Sequence, residues 1–233
     1  MEVKVYGSNS AGNSYVISDG ESSLMLEAGV TLNKMRDVEW QSVIGCLITH
    51  EHGDHSKFAH NLLKQTSIDI YMSKGTQEVL KLPKHRFKPL VALKQQKIGD
   101  WNILPFDVQH DVNEPLGFFI QTPSKKKVLF ATDTYYIKYK FPGITHMMIE
   151  CNYSIDILNG NVANKSVGPF LKKRVIKSHF ELKNVKTFIK SNDTSELEEV
   201  WLLHLSDNNS DERQFKKEIQ AITGTPVYIA RGV

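Results

Sequence analysis

The sequence predicts a single α/β domain that spans residues 1–233. Short apolar segments of strand length, many of them bounded by glycine or polar residues, recur along the whole chain. Segments with apolar residues at helical spacing lie between the later strands. No internal repeat, low-complexity stretch or linker rich in proline, glycine or serine divides the sequence. A chain of 233 residues is long enough for one sizeable hydrophobic core.

The N-terminal half is predicted to consist of short strands joined by tight turns. EVKVYG, NSYVISDG and SSLMLEAG are rich in β-forming residues and punctuated by glycine. QSVIGCLITH is more continuously apolar, which is typical of a strand covered on both faces. DHSKFAHNLLKQ places Phe58, Leu62 and Leu63 at helical spacing and predicts one helix. Further strands are predicted in DIYMSK, WNILPFDVQH, LGFFIQTP, KKVLFATD and HMMIECN.

The C-terminal part changes character. KSVGPFLKKRVIK and LKNVKTFIKSN predict helices, and EEVWLLHLS and TPVYIA predict strands. SDERQFKKEIQAITG predicts a helix with Ser210 or Asp211 near its N-cap and Gly224 at its end. The segment from Ser154 to Lys173 is polar at its centre and apolar at its ends, so it predicts a loop that packs on another surface.

Composition and charge set broad limits on function. Apolar residues make up 40% and charged residues 24%, as in ordinary soluble proteins, and the net charge of +3 permits an anionic substrate without requiring one. The N-terminus lacks the apolar core of a signal peptide, and no segment is long and apolar enough for a membrane span. We expect Cys46 and Cys151 to be buried free thiols of a cytoplasmic protein.

The segment THEHGDH, residues 49–55, places three histidines and two acids directly after the apolar run VIGCLI. Burying so many ionisable groups without a metal is costly. Three other apolar strands end in the ligand-type residues His110, Asp133 and His204. Each alone is explained by an ordinary hydrogen-bonded or turn residue. Together the five histidines and two aspartates suffice for two metals, and donors without thiolate suit zinc, with manganese, iron or cobalt also open.

The segment from His50 to His55 resembles the His-x-His-x-Asp-His signature of the metallo-β-lactamase fold. The order of the later candidates matches the rest of that superfamily's dinuclear site. The resemblance covers nearly the whole chain and implies an αββα sandwich. It also implies a ligand set. The first metal would be held by His50, His52 and His110, the second by Asp54, His55 and His204, and Asp133 would bridge them.

The segments IECNYS, KSHFELKNVKTFI and LLHLSDNNSD resemble the phosphodiesterase branch of this superfamily. That branch includes the ribonuclease Z group, small exonuclease-like proteins of Gram-positive bacteria and phage anti-Pycsar cyclic-nucleotide phosphodiesterases. The resemblance implies that His179 donates a proton to the leaving oxygen, whereas Asp54 orients the attacking water. A bystander on a basic helix is the alternative for His179. Four preceding cations can either hold phosphate oxygens or form a solvated helix face: Lys172, Lys173, Arg174 and Lys177.

Two positions depart from the family pattern. Glu27-Ala28-Gly29 stands where relatives have Asp-x-Gly, and Phe180 and Glu181 follow the expected donor where ribonuclease Z has small hydroxyl residues. The turn GSNSAGNS resembles the family's opening loop and is interpreted as backbone architecture. Three remaining histidines are assigned to structure: His60, His85 and His146.

The spacing of the candidates bears on the substrate. Only 22 residues separate His110 from Asp133, which leaves no room for the tRNA-grasping arm of ribonuclease Z. We therefore favour a cyclic mononucleotide such as cyclic UMP or cyclic CMP, as in the phage anti-defence enzymes. A nuclease acting on DNA or RNA ends is the alternative, and a non-catalytic metal protein or redox module is a third.

The resemblance also implies a homodimer, because relatives in this branch commonly form one. The segment from Ser154 to Lys173 would then lie near the partner's active site and help to enclose a small substrate. A surface lid within one chain is the alternative for this segment.

Overall fold

Residues 1–232 are described by a computed structural model, and their strands form two β-sheets. The chain divides into two compact units. Unit 1 contains Met1–Asp107 and Val112–Lys126 together with residues 231–232. Unit 2 contains Val108–Asp111 and Lys127–Ala230.

Unit 1 is built on a six-stranded sheet with its strands in sequence order. The first three strands pair antiparallel, whereas the third to the sixth pair parallel. The strands are β1 (Glu2–Asn9), β2 (Gly12–Ser18), β3 (Ser23–Leu26), β4 (Val43–Leu47), β5 (Ile70–Met72) and β6 (Phe87–Pro89). As its apolar sequence predicts, β4 is buried along its length except at the half-buried Ile44, and it lies between two neighbouring strands. Cys46, Ile48 and Met25 belong to one hydrophobic core.

An antiparallel meander completes the strands of unit 1. It consists of β7 (Gln96–Ile98), β8 (Trp101–Asp107) and β9 (Leu116–Gln121). Trp101 is fully buried, and its indole N–H donates to Ser22 Oγ at 2.7 Å. The strand predictions for β8 and β9 are confirmed, whereas β6 and β7 are too short to show an apolar pattern.

The helices of unit 1 differ from the predicted single helix after the THEHGDH segment. They are α1 (Gly53–Ser56), α2 (Ala59–Gln65) and α3 (Lys74–Leu80), with a 3₁₀ turn at Leu32–Lys34. The chain breaks between α1 and α2 because the Phe58 N–H donates to Ala28 O at 2.9 Å, while Asp54 O accepts from the Asn13 amide at 3.3 Å. The two groups that would continue the helical hydrogen-bond ladder are thus engaged elsewhere.

Unit 2 contains four parallel strands, each paired with the next in chain order. They are β10 (Lys127–Ala131), β11 (His146–Glu150), β12 (Glu199–Leu203) and β13 (Val227–Ile229). Its helices are α4 (Ile155–Ala163), α5 (Pro169–Ser178), α6 (Leu182–Ser191) and α7 (Glu212–Thr223). The predicted ends of α7 are confirmed: Asp211 Oδ1 accepts from the Gln214 N–H at 2.9 Å, and Gly224 ends the helix at φ 70°.

The loop predicted from Ser154 to Lys173 is wrong, because this range contains α4 and the first half of α5. The polar and glycine residues at its centre are poor helix formers, which favoured a loop in the sequence. In the structure, Leu158 is buried in a small core with Tyr153, Val167 and Val175. Burial of this apolar side outweighs the weak local propensity. The predicted helix KSVGPFLKKRVIK correspondingly begins only at Pro169.

None of the described helices is long and apolar enough to span a membrane. Both cysteines are free and buried, as predicted. Burial raises the pKa of both thiols, with a smaller contribution from Glu27 at Cys46 and from Glu150 at Cys151.

We predict that neither thiol of the native protein reacts with a disulfide reagent on the timescale on which a free thiol reacts, because thiolate formation and access are both suppressed. Both should react once denaturant unfolds the chain. The measurement is a colorimetric thiol titration with and without guanidinium. Rapid labelling of either cysteine in the native protein would contradict the burial described above.

Candidate functional site

Four of the candidate ligands gather in unit 1 at the turn between β4 and α1. His50 Nε2 lies 3.1 Å from His52 Nδ1, and the His50 and His55 ring centroids are 4.2 Å apart. His55 Nε2 lies 3.3 Å from Asp54 Oδ2. The structure therefore brings these four side chains together as the sequence predicts, and their role as ligands stays a prediction.

The carboxylate of Glu27 lies behind this cluster and is fully buried. Thr49 Oγ1 donates to Glu27 Oε1 at 2.6 Å, and His55 Nδ1 lies 3.5 Å from the same oxygen. Burial raises the pKa of Glu27, while His55 and Thr49 act in the opposite direction. Glu27, the longer acid that stands where the family has aspartate, thus contacts Thr49 and Nδ1 of His55. The other nitrogen of His55, Nε2, lies beside Asp54.

Thr49 also determines which ring nitrogen of His50 carries the proton. Thr49 has a single hydroxyl proton, which it donates to Glu27, so its oxygen accepts from His50 Nδ1 at 2.9 Å. The proton of neutral His50 is therefore on Nδ1, and the lone pair is on Nε2, the nitrogen near His52. Such an arrangement prepares Nε2 to bind a metal.

Asn13 is a unit 1 contact that the sequence did not identify. It follows the β1–β2 turn, and its Nδ2 lies 3.2 Å from Asp54 Oδ2 and 3.1 Å from His55 Nε2. The approach is close because position 29 is glycine: a Cβ there would lie 1.7 Å from Asp54 O. The turn GSNSAGNS is therefore more than backbone architecture, since Asn13 helps to position Asp54 and His55.

Unit 2 brings together the other three candidate ligands. His204 Nδ1 lies 3.0 Å from Asp133 Oδ1, and His110 Nε2 lies 3.8 Å from Asp133 Oδ2. His110 Nδ1 donates to the carbonyl oxygen of Ser178 at 3.0 Å, because a carbonyl can only accept. Burial lowers the pKa of His110 despite the nearby carboxylates. Neutral His110 therefore presents the lone pair of Nε2 towards Asp133.

Three residues of the two clusters have left-handed backbones one or two residues after the end of a strand. The φ angles are 66° at Glu27, 46° at Asp133 and 50° at His204. Non-glycine residues seldom adopt this conformation, and it is concentrated at functional sites where the surroundings enforce it. Sharp turns after β3, β10 and β12 thus direct these side chains.

Glu150 is the main site residue that the sequence prediction missed. It ends β11, is fully buried, and its Oε1 lies 2.7 Å from His179 Nδ1 and 3.3 Å from His204 Nδ1. Its Oε2 accepts from the N–H groups of Thr134 and Phe180. Burial would raise the pKa of Glu150, but the charge of His179 and the hydrogen bonds of His179 and His204 together prevail, and the pKa is lowered. The sequence contained an indication of this role, because the apolar run MMI of β11 ends in an acid.

His179 is the C-cap residue of α5, and its side chain is 18% exposed. Burial lowers its pKa, but the charge and hydrogen bond of Glu150 prevail and the pKa is raised. His179 offers an atom within 4.8 Å of ligand atoms of Asp133, Glu150 and His204. An imidazole whose charged form is stabilised by Glu150 therefore lies among candidate metal ligands.

The two residues after His179 have structural roles. Phe180 is buried and donates its N–H to Glu150, and Glu181 caps α6 by accepting from the Asn184 N–H at 3.0 Å. This explains the departure from the ribonuclease Z pattern without affecting His179. His146 is buried on β11 with its Nδ1 2.8 Å from Thr145 Oγ1, whereas His60 and His85 are exposed, and the assignment of these three histidines to structure stays a prediction.

The donors of both clusters are imidazole nitrogens and carboxylate oxygens. This donor set is suited to divalent metals such as zinc or manganese. Both cysteines are buried with raised pKa values, and none of the possible metal-binding groups among the described residues contains a cysteine. The residues present thus fit a divalent metal.

Comparison with known proteins agrees with this description. The family described as beta-lactamase superfamily domain matches residues 30–162. Exodeoxyribonuclease YycJ of Bacillus anthracis is 25% identical over 230 residues, which cover 91% of this chain and 85% of that protein.

Two solved structures show the same fold. The metallo-β-lactamase fold protein YhfI of Bacillus subtilis aligns with a TM-score of 0.77 at 18% identity, over 99% of this chain and 95% of that one. The short form of human tRNase Z aligns with a TM-score of 0.64 at 14% identity, over 99% and 96%. The predicted αββα metallo-β-lactamase fold is confirmed.

We predict that Glu27→Gln weakens zinc binding by about 10- to 100-fold, because His55 loses the charged partner of its Nδ1 while the side-chain volume is kept. Glu21→Gln, at an exposed position, is the control and should bind zinc like the wild type. Competition with a chromogenic chelator measures the affinity. Equal zinc affinity in the two variants would show that Glu27 does not support the cluster.

Proposed function

Since the chain belongs to the beta-lactamase superfamily domain family and is a metal-dependent hydrolase, we propose that it cleaves phosphodiester bonds at the ends of DNA or RNA strands. The Glu150–His179 pair beside Asp133 and His204 carries this proposal. A departing alkoxide needs a proton, and an imidazole with a raised pKa can supply one. The name of the exodeoxyribonuclease relative, matched over most of its length, supports a nucleic-acid substrate.

We assign two divalent ions to the protein, with zinc most suitable and manganese next. The candidate ligands are the seven that the signature implies, and seven exceed what one tetrahedral ion uses. They are His50, His52, Asp54, His55, His110, Asp133 and His204. Divalent ions bound by such ligands supply Lewis-acid stabilisation of phosphoryl oxygens and lower the pKa of water.

The residues of the chain have separable tasks in this proposal. Glu150 holds Nδ1 of His179, which leaves Nε2 to protonate the leaving oxygen, and its charge stabilises the imidazolium. Thr134 and Phe180 keep the carboxylate in place through their N–H groups. Asp54, held by Asn13, orients the attacking water in the role that the signature implies.

A cyclic mononucleotide such as cyclic UMP or cyclic CMP is the second candidate substrate. Between His110 and Asp133 the chain forms only β9 and β10 with their connections, so no polymer-grasping arm is inserted there. A small substrate needs no such arm. The exodeoxyribonuclease relative is matched over 85% of its own length, however, which favours the strand end.

The test is turnover of labelled single-stranded DNA, single-stranded RNA, cyclic UMP, cyclic CMP and bis(p-nitrophenyl) phosphate with zinc or manganese. We expect cleavage of a strand from its end and of the activated diester. Turnover of cyclic mononucleotides alone would replace the first candidate with the second. No turnover of any diester would contradict both.

We predict that His179→Ala lowers kcat on a nucleotide substrate by about 10²- to 10⁴-fold, because the alkoxide leaves without a proton. The loss should be much smaller for bis(p-nitrophenyl) phosphate, whose leaving group needs no protonation. His60→Ala, at an exposed histidine, is the control. An equal loss on both substrates, or loss of bound metal, would show that His179 is a ligand or a structural residue and not the proton donor.

We also propose a homodimer in the cytoplasm, on the strength of the family resemblance and of two free thiols that suit a reducing compartment. The segment predicted to face the partner consists of α4 and part of α5, and we assign its α4 portion to the interface. Light scattering should give twice the chain mass at micromolar concentration. A monomer mass with full activity would contradict the dimer.

A further inference from the structure

The positive charge of this chain is concentrated in one segment. Residues 165–190 contain eight Lys or Arg and a single acid, Glu181. The whole chain has 29 Lys or Arg and 26 Asp or Glu, so the rest has 21 and 25 and is net acidic. Glu181 is buried and caps α6, so it does not offset the surface charge of this segment. The segment is therefore a strongly cationic surface on a protein of small net charge.

Within this segment, α5 presents an aromatic ring and three cations on one face. Phe170, Lys173, Arg174 and Lys177 follow the spacing i, i+3, i+4 and i+7, which places them in one strip along the helix. Val175, at a different angle, is buried. Phe170 is 83% exposed, the most exposed of the large hydrophobic side chains described. We call these four residues the α5 strip.

The cations of the α5 strip have no acidic partner in the described part of the chain. None of the ion pairs within residues 1–232 includes Lys173, Arg174 or Lys177, whereas Lys186 of α6 pairs with Glu218. Lys172 also differs, because it donates to Asn159 Oδ1 at 2.6 Å. Uncompensated cations around an exposed ring match a ligand that combines negative charges with flat apolar surfaces.

We propose that the α5 strip binds a single-stranded polynucleotide and leads its end to His179, an inference that rests on the proposed function. Bases stack on Phe170, and phosphates pair with Lys173, Arg174 and Lys177. The helix ends in His179, nine residues after Phe170, a rise of about 13 Å. That length is enough for a few nucleotides of a single strand.

A single-stranded polynucleotide accounts for the charge, the ring and the position of the α5 strip better than other negatively charged partners do. An acidic polypeptide matches the cations but, unlike a polynucleotide, does not pair a flat ring with every negative charge, and a duplex keeps its bases stacked on one another. An anionic membrane matches both charge and apolar contact, but it does not explain why the strip continues into the proton donor. A strand whose end must reach His179 accounts for the charge, the ring and their position.

The test is binding of a fluorescein-labelled phosphorothioate oligothymidylate, which resists hydrolysis, followed by fluorescence anisotropy of the metal-loaded protein. The triple variant Lys173→Gln, Arg174→Gln, Lys177→Gln should bind about tenfold or more weakly and reduce the slope of log affinity against log salt by about 2. Phe170→Ala should weaken binding by about 5- to 150-fold, and Phe170→Tyr should restore it.

A matched control removes three cations from a different surface of the protein. Arg213, Lys216 and Lys217 are exposed on α7, so Arg213→Gln, Lys216→Gln, Lys217→Gln should bind within about twofold of the wild type, since these cations contact no phosphate in this proposal. An equal loss in both triple variants would overturn the α5 strip in favour of general charge attraction. Unaltered binding in the α5 variants would also overturn it.

The outcomes separate this inference from the proposed function. All α5 variants should keep the wild-type circular dichroism spectrum and zinc content, which shows that they are folded and loaded. If the wild-type protein binds the oligonucleotide through the α5 strip but cleaves no diester, the proposed function is contradicted. The assignment of the α5 strip as a polynucleotide-binding surface is then unaffected. Displacement of the oligonucleotide by polyglutamate at equal charge, or preferential binding to phosphatidylserine vesicles, would assign the strip to another partner.

Discussion

A buried carboxylate lies behind the histidines of each unit, and the rest of each cluster is arranged around it. Glu27 contacts His55 and Thr49 in unit 1, and Glu150 contacts His179 and His204 in unit 2. A carboxylate removed from water is costly unless charge and hydrogen bonds compensate it. The compensation here comes from imidazole and from fixed N–H and O–H donors. Each contacted histidine directs one ring nitrogen towards its buried carboxylate, so the other ring nitrogen is the candidate metal ligand or, at His179, the candidate proton donor.

The fold meets this requirement by placing polar residues at the ends of apolar strands. Glu27, Asp133 and His204 each follow a strand in a left-handed turn, and Glu150 is the last residue of its strand. The strands are stabilised by burial of their apolar residues, so the turns after them are held rigidly. In unit 2, α5 adds His179 at its C-terminal end, which joins the cationic helix to the cluster.

Much of this could be predicted from the sequence, because strand ends and the histidine signature are local patterns. What escaped prediction depends on partners distant in sequence. The break at Phe58 is set by Ala28 O, thirty residues away, and α4 forms because Leu158 is buried against Val175. Glu150 ends an apolar strand as the predicted ligands do, but its contacts with His179 and His204 required the structure. The exchange of aspartate for Glu27 was visible, but its contact with Thr49 required the structure.

The central claim is that the two clusters, with their buried carboxylates, bind two divalent metal ions. The most direct test is the metal content of the full-length protein, determined by elemental mass spectrometry after saturation with zinc and removal of the excess. Two equivalents per chain are predicted, and Asp133→Ala, which removes the residue that the family resemblance assigns to both metals, should lower this number. Saturation at one equivalent or none in the wild-type protein would contradict the account.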